Sequence, residues 1–331
     1  MSAPPTSTGR IGIRVALAIA VGAIALAAVA AVNDPEHQVL GAEAVDPAQQ
    51  LGVAYGPRPE QLLDVHPPPD AHGPVPVVIF AHSGGWIGGT RAAIPDVIAS
   101  LGLELGVAIV SIDYRLVGTS PDGSYTNTFP AAVEDLDRAI RFVRAHAAAW
   151  GLDPDRIVVG GASAGGQLAA LVGADPGRYV DPELPPALAR VSPAVQGVID
   201  YVGPSDFHTF PQAGGWAPAM TAALLGCAPV RPETCDPARV DAATVATHLH
   251  GRPPPAFFAY GERDPLVVPE TQGAPLAAAW AAQRGEDDAT PARARSVWYE
   301  QRADADHNFT RALDGSLLVF WLGQLLSGAL H

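Results

Sequence analysis

A chain of 331 residues, 48% apolar and only 16% charged, is too rich in buriable side chains to be disordered and long enough for one large α/β core. Its formal charge of −14 argues against nucleic acid or an anionic membrane surface as a partner, and leaves neutral ligands open.

The first 32 residues stand apart. Arg10 and Arg14 precede Val15–Val32, an uncharged apolar run of 18 residues, nine of them alanine. That length is marginal for a bilayer span and long for the core of a secretion signal. Ala28-Val29-Ala30 offers a small-x-small cleavage site. Residues 1–32 are therefore expected to be a cleaved signal or a retained membrane anchor. Either would export residues 33–331.

Val53–Tyr55 and Leu62–His66 read as an edge hairpin around Gly56-Pro57-Arg58-Pro59. Val75–Ala81 and Val107–Tyr114 are continuous apolar runs, the pattern of strands buried on both faces. Ala131–Trp150 has helical spacing, with Val133, Leu136, Ile140 and Val143 on one stripe. Further strands are expected at Ile157–Gly160, Val195–Tyr201, Ala256–Tyr260 and Ser296–Glu300. Helices are expected from Ser163, at about Glu270–Gln283 and at Gly315–Ser327. Strands alternating with helices predict an α/β fold, a mostly parallel sheet covered on both faces in a single domain. The stretch 203–237 reads as an irregular insertion above the sheet. Cys227 and Cys235 lie within it, eight apart; in an oxidising compartment they could close a small disulfide loop, the alternative being two unpaired thiols on a loop. Lacking nearby histidines, they make a poor zinc site.

Directly after the run Ile157–Gly160 comes Gly161-Ala162-Ser163-Ala164-Gly165. A G-x-S-x-G sequence between strand and helix places a serine on a sharp turn with its hydroxyl exposed, the position of a nucleophile. Such a serine needs a general base and a group that orients the base. Asp264 follows the strand ending at Tyr260, and so stands at a strand's C-terminal end, where open α/β sheets carry their sites. His307 lies just beyond the last strand; His208, in the insertion, is its one serious rival. Asp304 and Asp306 are alternative orienting groups for His307, and Asp264 also reads as a simple turn cap. Asn308-Phe309-Thr310 matches a glycosylation sequon and is read as incidental, because a glycan there would crowd the base. Acyl transfer develops negative charge on oxygen, which backbone N–H groups can stabilise. Gly84 and Gly85, in His82-Ser83-Gly84-Gly85-Trp86, would donate from one side and Ala164 from the other.

With these motifs in order, the chain resembles α/β-hydrolases of the hormone-sensitive-lipase-like group, and in particular the acyl-esterase domain called BD-FAE. The matching segments are His82–Trp86, Asp113-Tyr114-Arg115-Leu116, Phe129-Pro130 with Glu134-Asp135, Gly161–Gly165, Tyr201–Asp206, Asp264–Leu266 and His307. They cover about residues 53–326. The resemblance implies a triad of Ser163, Asp264 and His307, an oxyanion hole of Gly84, Gly85 and Ala164, and no cofactor or metal. Ser83 departs from the family, which usually has glycine there. Only about 20 to 40 residues separate the apolar leader from the first strands, too few for the large helical cap of many members, so an open site is expected. The implied activity is hydrolysis of small carboxylic esters, short acyl or aryl. An amidase or peptidase on the same triad, and a catalytically inactive exported binding module, remain as alternatives. Trp86, Phe207, Phe210 and Trp216 read equally as pocket lining or as ordinary core and loop aromatics.

Overall fold

The computed structural model describes residues 50–227, 231–287, 289–291, 295–308 and 315–330. The leader or anchor expected at 1–32 and Phe309-Thr310 of the sequon lie outside the described residues. β1 (Gln50–Ala54) and β2 (Leu62–His66) form the expected antiparallel edge hairpin. β3 (Val75–Ala81) and β4 (Ala108–Ile112) follow, and β5 (Gly118–Thr119) pairs with β6 (Tyr125–Thr126) as a separate small ladder. β7 (Leu152–Ala162), β8 (Gly197–Tyr201), β9 (Ala256–Gly261) and β10 (Val297–Arg302) complete the main sheet. Its eight strands run in the order β1-β2-β4-β3-β7-β8-β9-β10, parallel from β4 onward.

The longer helices are α1 (Ala131–His146), α2 (Ala164–Ala174), α3 (Ala217–Leu225), α4 (Gly273–Gln283) and α5 (Ser316–Leu326). Successive strand residues face opposite sides of a sheet, and β3 shows the consequence. Val77 and Ile79 join the core shared with Leu136 of α1, Leu168 of α2 and Trp280 of α4. Val78 and Phe80 join the opposite core, with Leu101 of the short helix Leu101–Leu105 and Leu318 and Trp321 of α5. Each such side chain contributes roughly 1.5–3 kcal/mol by leaving water. The predicted stripe Val133, Leu136, Ile140 and Val143 is the buried face of α1. α2 is buried along its whole length, which explains its alanine and glycine content: bulkier residues would not fit between sheet and neighbouring helices.

One reading changes. Among its described residues the stretch 203–237 carries a 3₁₀ turn at Phe210–Ala213 and the nine-residue helix α3, with Pro218 in its first turn and left-handed Gly226 at its end. Being almost wholly apolar, α3 has no helical periodicity to betray it. Trp86, Phe207 and Phe210 are fully buried and packed on one another, as core aromatics. Trp216 alone of the four is exposed, at 42%. Cys227 and Cys235 are joined as the expected disulfide, just beyond α3. Among the described residues no helix is long and apolar enough to cross a membrane.

Candidate active site

β7 delivers Ser163 to the C-terminal edge of the sheet, and α2 begins at the next residue. Ser163 holds φ 52° and ψ −116°, a conformation that costs an L-residue on the order of 1–3 kcal/mol. Its N–H donates to Tyr201 O at 2.7 Å, which ties the turn to the end of β8. The flanking glycines answer a close approach of backbone. A Cβ on Gly161 would lie 2.2 Å from Gly165 C, and one on Gly165 would lie 2.0 Å from Ala81 O. Any other residue type would push strand and helix apart.

Asp264 is 4% exposed, and its two oxygens do different work. Oδ1 accepts from the backbone N–H of Leu266 at 2.8 Å and of Val267 at 2.9 Å, while Oδ2 pairs with His307 Nδ1 at 2.7 Å. One carboxylate thus caps its own turn and also holds a hydrogen bond to His307. His307 Nε2 lies 3.0 Å from Ser163 Oγ. With Nδ1–H donating to Asp264, Nε2 carries the lone pair and the serine hydroxyl donates to it. The loops after β9 and β10 are stitched together by Glu262 N–H to Arg302 O at 2.8 Å and Arg263 N–H to Ala305 O at 2.9 Å. The competitors are engaged elsewhere. His208 pairs with Asp241 on the surface at 2.8 Å, Asp304 pairs with Arg302, and Asp306 caps the N–H of Asn308.

The His82–Trp86 segment leaves β3 with Gly84 at φ 127° and Gly85 at φ 60°, both favoured by glycine. Gly84 O turns back to accept from Ile87 and Gly88. Among the described residues, no acceptor takes the N–H of Gly84, Gly85 or Ala164. Other side chains brace this loop. Tyr114 stacks on His82, ring centroids 4.3 Å apart, and its hydroxyl donates to His82 O at 2.9 Å. Burial pushes the His82 imidazole below its usual range, partly offset by its bond to Ser83 O at 2.6 Å. Trp86 Nε1–H donates to Gln167 Oε1 at 3.2 Å, linking loop to α2. The Asp113–Leu116 motif contributes one further tie. Arg115, itself buried, pairs with Asp135 at 2.8 Å and Glu134 at 3.0 Å at the start of α1.

One buried carboxylate escaped sequence reasoning. Asp200 on β8 is fully buried, accepting from Gly203 N–H at 2.9 Å and Tyr260 hydroxyl at 3.0 Å. Burial pushes its carboxyl up to about 7, against the lowering effect of those two bonds. Tyr260 precedes the Asp264 loop, and a Cβ on Gly166 of α2 would lie 2.2 Å from Asp200 Oδ1. Asp200 therefore fills the space between the serine turn and the acid loop. No group of metal-binding side chains occurs among the described residues.

The chain is similar to several known esterases. The chain is 34% identical over 270 residues to esterase LipQ of Mycobacterium tuberculosis, covering 80% of this chain and 58% of that protein. It is 31% identical over 207 residues to the probable carboxylic ester hydrolase LipM of the same organism, covering 62% and 45%. The chain thus spans about half the length of these curated relatives. Among solved structures, a truncated carbohydrate esterase from gut microbiota superposes with TM-score 0.68 at 20% identity, covering 84% of this chain and 96% of that one, a likeness of fold. Residues 63–279 match the family profile BD-FAE, and the chain belongs to that family, on an α/β-hydrolase fold.

Proposed function

We propose that this chain is a serine carboxylesterase acting on small, short-acyl esters through an acyl-enzyme. The observation that carries the reading is the continuous relay from Asp264 Oδ2 to His307 Nδ1 at 2.7 Å and from His307 Nε2 to Ser163 Oγ at 3.0 Å. The named esterases among its relatives support the same chemistry.

Ser163 Oγ attacks the ester carbonyl carbon as His307 Nε2 takes its proton. The carbonyl π pair moves onto oxygen, which the N–H groups of Gly84, Gly85 and Ala164 stabilise. One such donor is typically worth about 10²–10³ in kcat. The C–O bond to the alcohol breaks and the leaving oxygen takes the proton from His307. Asp264 holds the imidazole in the required tautomer and balances its transient charge. Water, deprotonated by the same nitrogen, then releases the acid and restores Ser163. The serine proton departs on the alcohol and a water proton replaces it, so water is the sole co-reactant and His307 and Ser163 are restored.

In the same reading residues 1–32 export the domain, as a cleaved signal or a retained anchor. The disulfide between Cys227 and Cys235 is compatible with an oxidising compartment.

Labelling of the purified protein with a fluorophosphonate tests the chemistry. The expected result is one adduct on Ser163, absent in folded Ser163→Ala and His307→Ala variants. A folded wild type that takes no label, or a Ser163→Ala variant that still turns over esters, would refute the reading. The first of these outcomes would make the binding-module alternative the better one. Matched ester and amide substrates separate esterase from amidase, with the ester hydrolysed far faster.

A further inference from the structure

α3 stands over the loop that carries Gly84 and Gly85. A Cβ built on Gly85 would lie 3.1 Å from Met220 Cε and 3.3 Å from its Sδ, so the thioether covers the outer surface of that glycine. Met220 is half-buried. Its mounting is firm. Leu224 O, one turn on, accepts from Phe129 N–H at 2.7 Å, and the Cys227–Cys235 disulfide closes immediately after the helix. Arg239 reaches back to Thr128 Oγ1 at 3.0 Å, which fixes the far end of the same segment to the loop before α1.

The substituents of the tetrahedral carbon divide the space around Ser163. The oxyanion points to the N–H groups of Gly84, Gly85 and Ala164. The leaving oxygen must reach His307 Nε2 to be protonated. The acyl chain takes the remaining direction, away from His307 and past the glycine loop. Resting on the esterase reading above, we infer that Met220 is the specificity-determining wall of the acyl side, admitting acetyl to butyryl groups and excluding longer chains. An unbranched thioether suits this place, since it fills irregular space and is easily replaced by other volumes.

The experiment is a chain-length series of p-nitrophenyl esters, acetate to octanoate, on fluorophosphonate-titrated wild type and three variants. Wild-type kcat/KM is expected to fall beyond butyrate. In Met220→Ala the ratio of hexanoate to acetate kcat/KM should rise about tenfold or more, the scale on which pockets discriminate methylene groups. Met220→Leu, of similar volume, should keep the wild-type ratio within about twofold. Met220→Phe should lower the ratio of butyrate to acetate, and it carries the test if the alanine variant takes no label. Ser163-dependent turnover with chain-length ratios unmoved by these substitutions overturns the role of Met220 alone. A wild type without Ser163-dependent turnover overturns the esterase reading, and this inference with it.

Discussion

Asp200→Asn isolates the consequence of burying a carboxylate with no cation beside it. An unfolded aspartate ionises at its ordinary value of 3.8, whereas in the fold burial raises Asp200 to about 7. The sign follows from proton counting. Below about pH 4 both states hold the proton, and the group carries no penalty. As pH climbs from there to about 7 the unfolded chain has lost its proton while the folded chain keeps it, so stability falls. Above about 7 both are ionised and the loss is complete. A gap of about three pKa units at 1.36 kcal/mol each amounts to about 4 kcal/mol. Asparagine keeps an oxygen for Gly203 N–H, its Nδ2–H can donate to the Tyr260 hydroxyl, whose own proton goes to Gly203 O at 2.7 Å, and it does not titrate. The Tm of Asp200→Asn minus that of wild type should therefore grow by roughly 5–10 °C between about pH 4.5 and about pH 8. Whatever fixed cost the amide imposes cancels in that comparison, as do all other titrating groups. Differential scanning fluorimetry at both pH values is sufficient. A Tm gap that is the same at both would mean that Asp200 does not exchange its proton in this window, and the argument from burial would fail.

Asp264→Asn is expected to lower kcat about 10³–10⁴-fold with little change in KM, measured on p-nitrophenyl acetate. The two N–H groups of Leu266 and Val267 demand an oxygen at the Oδ1 position, which turns the amide NH₂ toward His307 and leaves the proton on Nε2. Activity within about tenfold of wild type would refute this account of the tautomer. Reduction of the Cys227–Cys235 bridge, or its replacement by serines, should cost about 2–3 kcal/mol through the entropy of a nine-residue closed loop. That loss appears as a fall of about 5 °C in Tm with reductant present, and an unchanged Tm would refute it.

Much of this arrangement was legible in the sequence because local rules and the global fold agree at those positions. Val75–Ala81 could only be a strand buried on both sides, and it is. Gly161 and Gly165 announce a strand–helix contact too close for a side chain, and the structure has that contact. Asp264 and His307 follow strands in the order that brings them to one edge. What the sequence concealed depends on distant neighbours. Nothing local distinguishes Asp200, in Val198-Ile199-Asp200-Tyr201, from a surface aspartate; its burial is set by Tyr260 and Gly203. Tyr114 was visible as part of a motif, but its stacking on His82 requires the register of β3 beside β4. α3 was missed because a helix apolar on nearly every side shows no period. The burial of Trp86, Phe207 and Phe210 follows from that helix covering them.

The two stitches between the loops after β9 and β10 make acid and base a single mechanical body. Gly261 is where they meet: a Cβ there would lie 2.5 Å from Ala305 O, so the loops interlock with no side chain between them. The insertion leaves the sheet at the end of β8, is braced by its own disulfide and by the loop before α1, and is tied at its start to the segment after the acid loop, where Gln272 Oε1 accepts from Ser205 N–H at 2.8 Å and Asp206 N–H at 2.9 Å. On the esterase reading, proton transfer and acyl selection fall to separate stretches of backbone, joined through Gln272. Lineages descending from such a fold can remodel what enters the pocket without renegotiating how it reacts.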